Sequence, residues 1–141
     1  MPDHCIYDYA IIRVVPRVER EEFVNAGVIV SCPARDFLEA RIELDEQRLL
    51  AMAAALDIEA VRAHLATIPL ISIGGEAAGP IGHLSQRERF SWLTAPRSTI
   101  VQTSPVHTGV CKDPPAALEH LLETMVRLPH QKVDQNQERG S

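Results

Sequence analysis

Between Tyr7 and Leu44 the chain reads YDYAIIRVVPRVEREEFVNAGVIVSCPARDFLEARIEL. Two β-branched runs flank a charged link, Pro-Arg-Val-Glu-Arg-Glu-Glu, and the second run opens from a Phe-Val-Asn-Ala-Gly corner. From Ile6 to Val15 apolar residues occupy both parities, which suits a central strand buried on both faces. Pro16 has no N–H for a ladder and ends that strand. Residues 17–22 read as a loop or a short helical turn. Val24 to Cys32 is a second strand, and Pro33-Ala-Arg-Asp36 is a four-residue hairpin connection. From Phe37 to Leu44 the pattern alternates: Leu38, Ala40, Ile42 and Leu44 point one way, Phe37, Glu39, Arg41 and Glu43 the other. Three strands in succession, joined by short links, commit the chain to a mostly antiparallel sheet.

The helical signals come afterwards. Asp45 is a candidate N-cap, followed by Leu49, Met52, Ala53 and Leu56 at helical spacing. Asp57 caps a second helix with Ala60, Val61, Leu65 and Ile68 on its inner face. Gly74 to Gly82 is expected to be a flexible loop. Ser85-Gln-Arg-Glu88 matches a capping box and starts a short helix carrying Phe90 and Trp92. Ser98 to Ser104 is a fourth strand. Asp113-Pro114 starts a last helix, with Leu118, Leu121, Leu122 and Met125 as its apolar stripe and Pro129 at its end. The expected fold is α+β, a sheet of about four strands packed against helices in the order β-β-β-α-α-α-β-α. Residues 1–129 form one domain, and the polar residues 130–141 form a disordered tail.

Composition narrows the function classes. Net charge is −5 with pI near 5.6, so a nucleic-acid partner is not expected. The N-terminal residues have no basic region followed by an apolar core, so no signal peptide is expected, and no apolar window is long enough for a membrane span. Cys5, Cys32 and Cys111 are far apart and lack CxxC spacing, which argues for reduced thiols in a cytoplasmic protein and against a metal site built with His4. No motif calls for a cofactor.

The block YDYAIIRVVPRVEREEFVNAGVIV carries Arg13, Pro16, Arg20, Glu22, Phe23, Asn25 and Gly27; the block RFSWLTAPRSTIVQTSPVHTG carries Phe90, Leu93, Arg97, Ser98, Gln102 and Ser104. In these residues the chain resembles DUF3037, a family of small bacterial proteins with no established activity, over roughly residues 6–128. The resemblance implies a partner. Family members are often encoded beside a kinase-like protein similar to the HipA toxin kinases, so a partner or modulator role is expected from it.

Several residues are candidates for a site. Arg13 interrupts an apolar strand, so it is expected to be buried and paired with a carboxylate, Glu22 or Glu19, or else to bind an anion. Asn25-Ala-Gly27 suits a turn or bulge, with the Asn25 side chain the part a ligand could use. Arg97 and Ser98, with Thr99, could contact an oxyanion, and Gln102 belongs to the same block. His107 is a candidate acid or base, alone, paired with His83, or in a triad with Ser98 or Ser104 and Asp113, although no G-x-S-x-G elbow is present. Three readings follow. The leading one is a non-enzymatic protein-binding or regulatory module, its partner a HipA-like kinase. The second is a small hydrolase or nucleic-acid-processing enzyme using Arg13, Arg97 and His107, with Glu22 as a further catalytic candidate. The third is a sensor of an anionic ligand. Arg13, Asn25 and Arg97 are expected to share one face.

Overall fold

The computed structural model describes residues 3–128, the side chain of Val18 excepted; the tail expected at 130–141, and Pro129, lie outside those residues. Strands β1 (Cys5–Val14), β2 (Val24–Cys32) and β3 (Phe37–Ile42) come first, as the apolar runs require. A 3-10 turn at Val18–Arg20 lies in the charged link. A second, at Pro33–Arg35, closes the hairpin, with Asp36 in the left-handed region. Helices α1 (Glu46–Met52) and α2 (Ile58–Ile73) start at their aspartates: the Asp45 carboxylate accepts from the Arg48 N–H at 3.0 Å, and that of Asp57 from the Ala60 N–H at 3.1 Å. Helix α3 (Gln86–Leu93) carries both bonds of the Ser85/Glu88 capping box.

After α3 the chain departs from the expected order. The segment expected as one strand contributes only β4 (Val101–Thr103), and a further strand, β5 (His107–Cys111), follows it. Both pair antiparallel with β1, β4 along Ile12–Val14 and β5 along Cys5–Tyr9. The sheet thus has five strands, with β3-β2-β1 in order and β4 and β5 sharing the far side of β1. Between them Pro105 cannot donate to a ladder, and Ser104 fills the gap. Its backbone N–H donates to the Ile11 carbonyl at 2.8 Å, and its Oγ accepts the Ile11 N–H at 2.9 Å.

Two cores flank the sheet. On one face Ile12, Val14, Ile29, Leu38 and Ala40 pack under Leu49 of α1, Val61, Leu65 and Ile68 of α2, and Phe90 and Leu93 of α3. On the other, Ile11, Val28 and Val30 meet Leu118 and Leu121 of α4 (Pro114–Leu121), then Leu122 and Val126 of the π-helical turn Leu122–Val126 that ends it. The wider turn shifts the apolar stripe by one position. Val126 is therefore buried where Met125 was expected, and Met125 is 44% exposed. Two other stripe positions, Met52 and Ala60, also face solvent.

The glycine-rich stretch is not the open loop its composition suggests. Glu76–His83 forms 3-10 turns with a kink at Gly79. Gly75 and Gly82 meet backbone to backbone, the Gly75 N–H donating to the Gly82 carbonyl at 2.9 Å. A Cβ on Gly82 would lie 1.9 Å from the Gly75 oxygen, so only glycine fits there.

Candidate functional site

The sheet register brings three of the candidate residues onto one rung. Arg13 of β1 lies opposite Asn25 of β2 and opposite Gln102 of β4. The pairing slips between Ile12 and Arg13: Ile12 faces Gly27, Arg13 faces Asn25, and Ala26 is the extra residue of a β-bulge. Gly27 is needed beside it, because a Cβ there would meet the Arg41 carbonyl oxygen at 2.5 Å. The Asn25 amide donates to the Met125 carbonyl at 2.8 Å, which places this rung on the α4 face.

Arg13 does not have the carboxylate partner expected of it. Among the described residues it forms no ion pair, and its guanidinium stacks on the Phe23 ring, 4.1 Å from the centroid. Stacking on a half-exposed aromatic keeps the head group near water while the stem is covered. Its Nε and the Asn25 Oδ1 are buried and have no hydrogen-bond partner among the described residues. Glu22 instead pairs with Arg20 in the exposed link.

Arg97 is held at the end of α3, whose Phe90 and Leu93 pack on the face of the sheet away from α4, so it does not join Arg13 and Asn25, although Gln102 of their rung lines the hollow beside it. Its guanidinium donates to the carbonyls of Trp92 (2.7 Å), Leu93 and Ala95 (3.2 Å each), and it lies over the Trp92 ring, 4.4 Å from the centroid. The last carbonyls of a helix lack intrahelical donors, and a cation there also suits the helix dipole. Arg97 is thus engaged as the C-terminal cap of α3, in a small hollow with His64, Thr67 and Ile68 of α2. Arg89, which the sequence reading passed over, does the same for α2. It donates to the Ile71 carbonyl at 2.9 Å and the Leu84 carbonyl at 2.7 Å. Ser98 is exposed beside this cap, and the Gln102 amide donates to the Thr99 carbonyl at 2.7 Å.

The residues of the enzyme reading are dispersed. His107 is exposed on β5, four register positions and more from Arg13, its ring 5.4 Å from that of Tyr9. The Ser104 hydroxyl is buried, accepts the Ile11 N–H and donates its own proton to the Pro105 carbonyl at 2.9 Å, so it is not free to act as a nucleophile toward His107. His83 lies in the glycine-rich turns and Asp113 at the start of α4. Glu22 lines a shallow depression with Arg17, Arg20 and Met52, and Arg97 lines a different one. Among the described residues no group of three or more His, Cys, Asp or Glu is arranged to hold a metal, and no helix is long and apolar enough to cross a membrane.

The two sheet edges carry the features that sequence reasoning missed. On the β3 side, Arg41 pairs with Glu39 (2.9 Å) and Glu119 (2.8 Å), while Arg127 reaches Glu43 and Glu119 at 2.8 and 2.7 Å. The Arg127 hydrogen bonds hold the Glu43 carboxyl below the usual glutamate range. On the β5 side, Ile6 and Val110 face each other across the ladder and are 64% and 65% exposed. Among the described residues β5 pairs with β1 alone. Trp92, by contrast, has Arg97 over its ring and does not join that apolar pair.

Among the described residues, a five-stranded antiparallel sheet built round one central strand, with three helices on one face and one on the other, defines a small α+β domain. The chain belongs to the DUF3037 family: that family's model, "Protein of unknown function (DUF3037)", matches residues 9–126. No curated protein and no solved structure matches it.

Proposed function

We propose that this domain is a non-enzymatic, cytosolic binding module that docks a protein partner along the outer edge of β5. The observation that carries the reading is the exposed Ile6–Val110 pair beside a strand that, among the described residues, pairs with β1 alone. An edge strand presents unpaired N–H and C=O groups at ladder spacing, and an added strand satisfies them while adjacent apolar side chains provide contact area. A kinase-like protein, the partner class implied by the family resemblance, is the first occupant to test. Co-purification of the full chain with such a kinase is expected to be lost in Ile6→Lys and Val110→Lys and kept in Arg97→Ala. Equal binding by both lysine variants would overturn the reading.

A second reading has its own support. Arg13 Nε and Asn25 Oδ1 are a donor and an acceptor on one rung, both buried and neither with a partner among the described residues. Unmet buried polar groups are costly, and a small anionic ligand bearing its own donor would satisfy both. Added inorganic phosphate or nucleotide should then raise the melting temperature of the wild type and not of Arg13→Met.

A further inference from the structure

Three thiols far apart in sequence converge where β1, β2 and β5 meet. The Cys5 Sγ lies 3.1 Å from that of Cys32 and 3.6 Å from that of Cys111. Cys5 and Cys32 are buried, while Cys111 is partly open to solvent. Cys5 and Cys111 are also direct register partners on antiparallel strands. Opposed residues there have Cα atoms roughly 4.5–5.5 Å apart, inside the span of roughly 4.4–6.8 Å that a disulfide bridges.

We propose that Cys5 and Cys111 form an oxidisable pair that closes to a cross-strand disulfide in the presence of hydrogen peroxide, with Cys32 positioning Cys5. The Cys111 thiolate attacks the peroxide O–O bond and becomes a sulfenic acid, and the leaving oxygen departs as water after taking a proton. The Cys5 sulfur then attacks Cys111 Sγ, forming the S–S bond and expelling the sulfenic oxygen as a second water. Two thiols lose two electrons and two hydrogens, and one peroxide is reduced to two waters. Cys111 meets the oxidant first because it is the open member of the three. Cys32 is fully enclosed and donates its S–H to the Cys5 sulfur, which fixes that sulfur beside Cys111.

The environment also sets the pace. Burial, and then the hydrogen bond with Cys5, push the Cys111 thiol up to about 11. The thiolate is the reacting form, so closure is slow at neutral pH. It should speed up roughly tenfold per pH unit from pH 7 towards 10, as a titrating thiol below its pKa requires.

The test uses the full chain treated with hydrogen peroxide, denatured with an alkylating agent, and mapped without reduction. The expected product is one Cys5–Cys111 linkage with Cys32 alkylated, and the same linkage in Cys32→Ser. Three alkylated cysteines, a Cys5–Cys32 linkage, or Cys111 carried to sulfinic acid with no linkage would each overturn the proposal. Should Cys32→Ser fail to fold, the wild-type map decides by itself. A second readout is the melting temperature: the linked residues are 106 apart, and a crosslink closing a loop of that size should raise it by on the order of 10 °C, reversibly with dithiothreitol.

Discussion

On the α4 face Phe37 of β3 is followed by Glu39, Arg41 and, just past the strand, Glu43, and Arg127 and Glu119 tie those three charges into one chain of ion pairs; along β5 the residues are His107, Thr108, Gly109, Val110 and Cys111, with Val110 beside Ile6. The paired side chains on the β3 side are 30–48% exposed. Exposed pairs contribute about 0–1 kcal/mol each. Their stronger effect is to make an added strand unwelcome, since charge on an edge disfavours edge-to-edge pairing. The β5 edge lacks that guard, and its ladder groups are the ones left for something else to meet. The same sheet is therefore closed on one side by electrostatics and open on the other.

The contrast can be tested from its largest consequence to its smallest. Leu118 is fully buried and holds α4 against the sheet, and with it the Glu119 that joins the two arginines. Leu118→Ala should cost about 2–5 kcal/mol in denaturant unfolding; a loss under about 1 kcal/mol would mean that α4 does not anchor the charged side. Next comes the open side. Ser104→Ala removes the acceptor of a buried N–H and should cost about 1–3 kcal/mol, with faster hydrogen exchange at the Ile11 amide. Unchanged exchange there would show that β4 and β5 hold β1 without the hydroxyl.

A smaller effect is expected at Arg127→Ala, about 1 kcal/mol or less near pH 7. Its signature is pH dependence. The folded Glu43 carboxyl is held below its ordinary value of 4.5, so the pairing stabilises the fold above that value and is lost as pH falls through the lowered one. The wild type should therefore lose stability below about pH 4.5, and the variant should lose less over the same interval; parallel curves would break the assignment. Smallest of all, Val110→Thr should change stability by no more than about 0.5 kcal/mol. A large loss would show that Val110 supports the fold, and the open edge would then not be open.

What the sequence made legible was local. The β1–β3 run, the Asp45 and Asp57 caps, the Ser85/Glu88 box and the alternation of β3 depend on residues within a few positions of one another, and all appear in the structure. The strand at His107–Cys111 was not legible, because Pro105 breaks the run and most of β5 is exposed, leaving no periodic signal. Asn25-Ala-Gly27 already suited a turn or bulge, and the bulge is there at Ala26; the rung of Arg13, Asn25 and Gln102 was not legible, because it depends on which strands pair with β1 and in what register. Arg97 and Arg89 look alike as free cations in sequence; only the ends of α2 and α3 show their donors spent on carbonyls. The meeting of the three cysteines follows from the pairing of β1 with both β2 and β5, a long-range register that spacing does not encode.

The division of β1 between near and distant partners also orders events in time. Its pairing with β2 needs only the charged link to close, so that hairpin can form as soon as some thirty residues exist. Its other side waits for residues such as Ser104, 93 positions beyond Ile11. Closing loops of that length is entropically costly and slow. During synthesis the first half of the chain would hold an unfinished strand, with Ile11 and Ile12 of β1 lacking their final neighbours, until almost the whole domain has emerged. The interval before β4 and β5 arrive is when this protein is most exposed to pairing with the wrong strand.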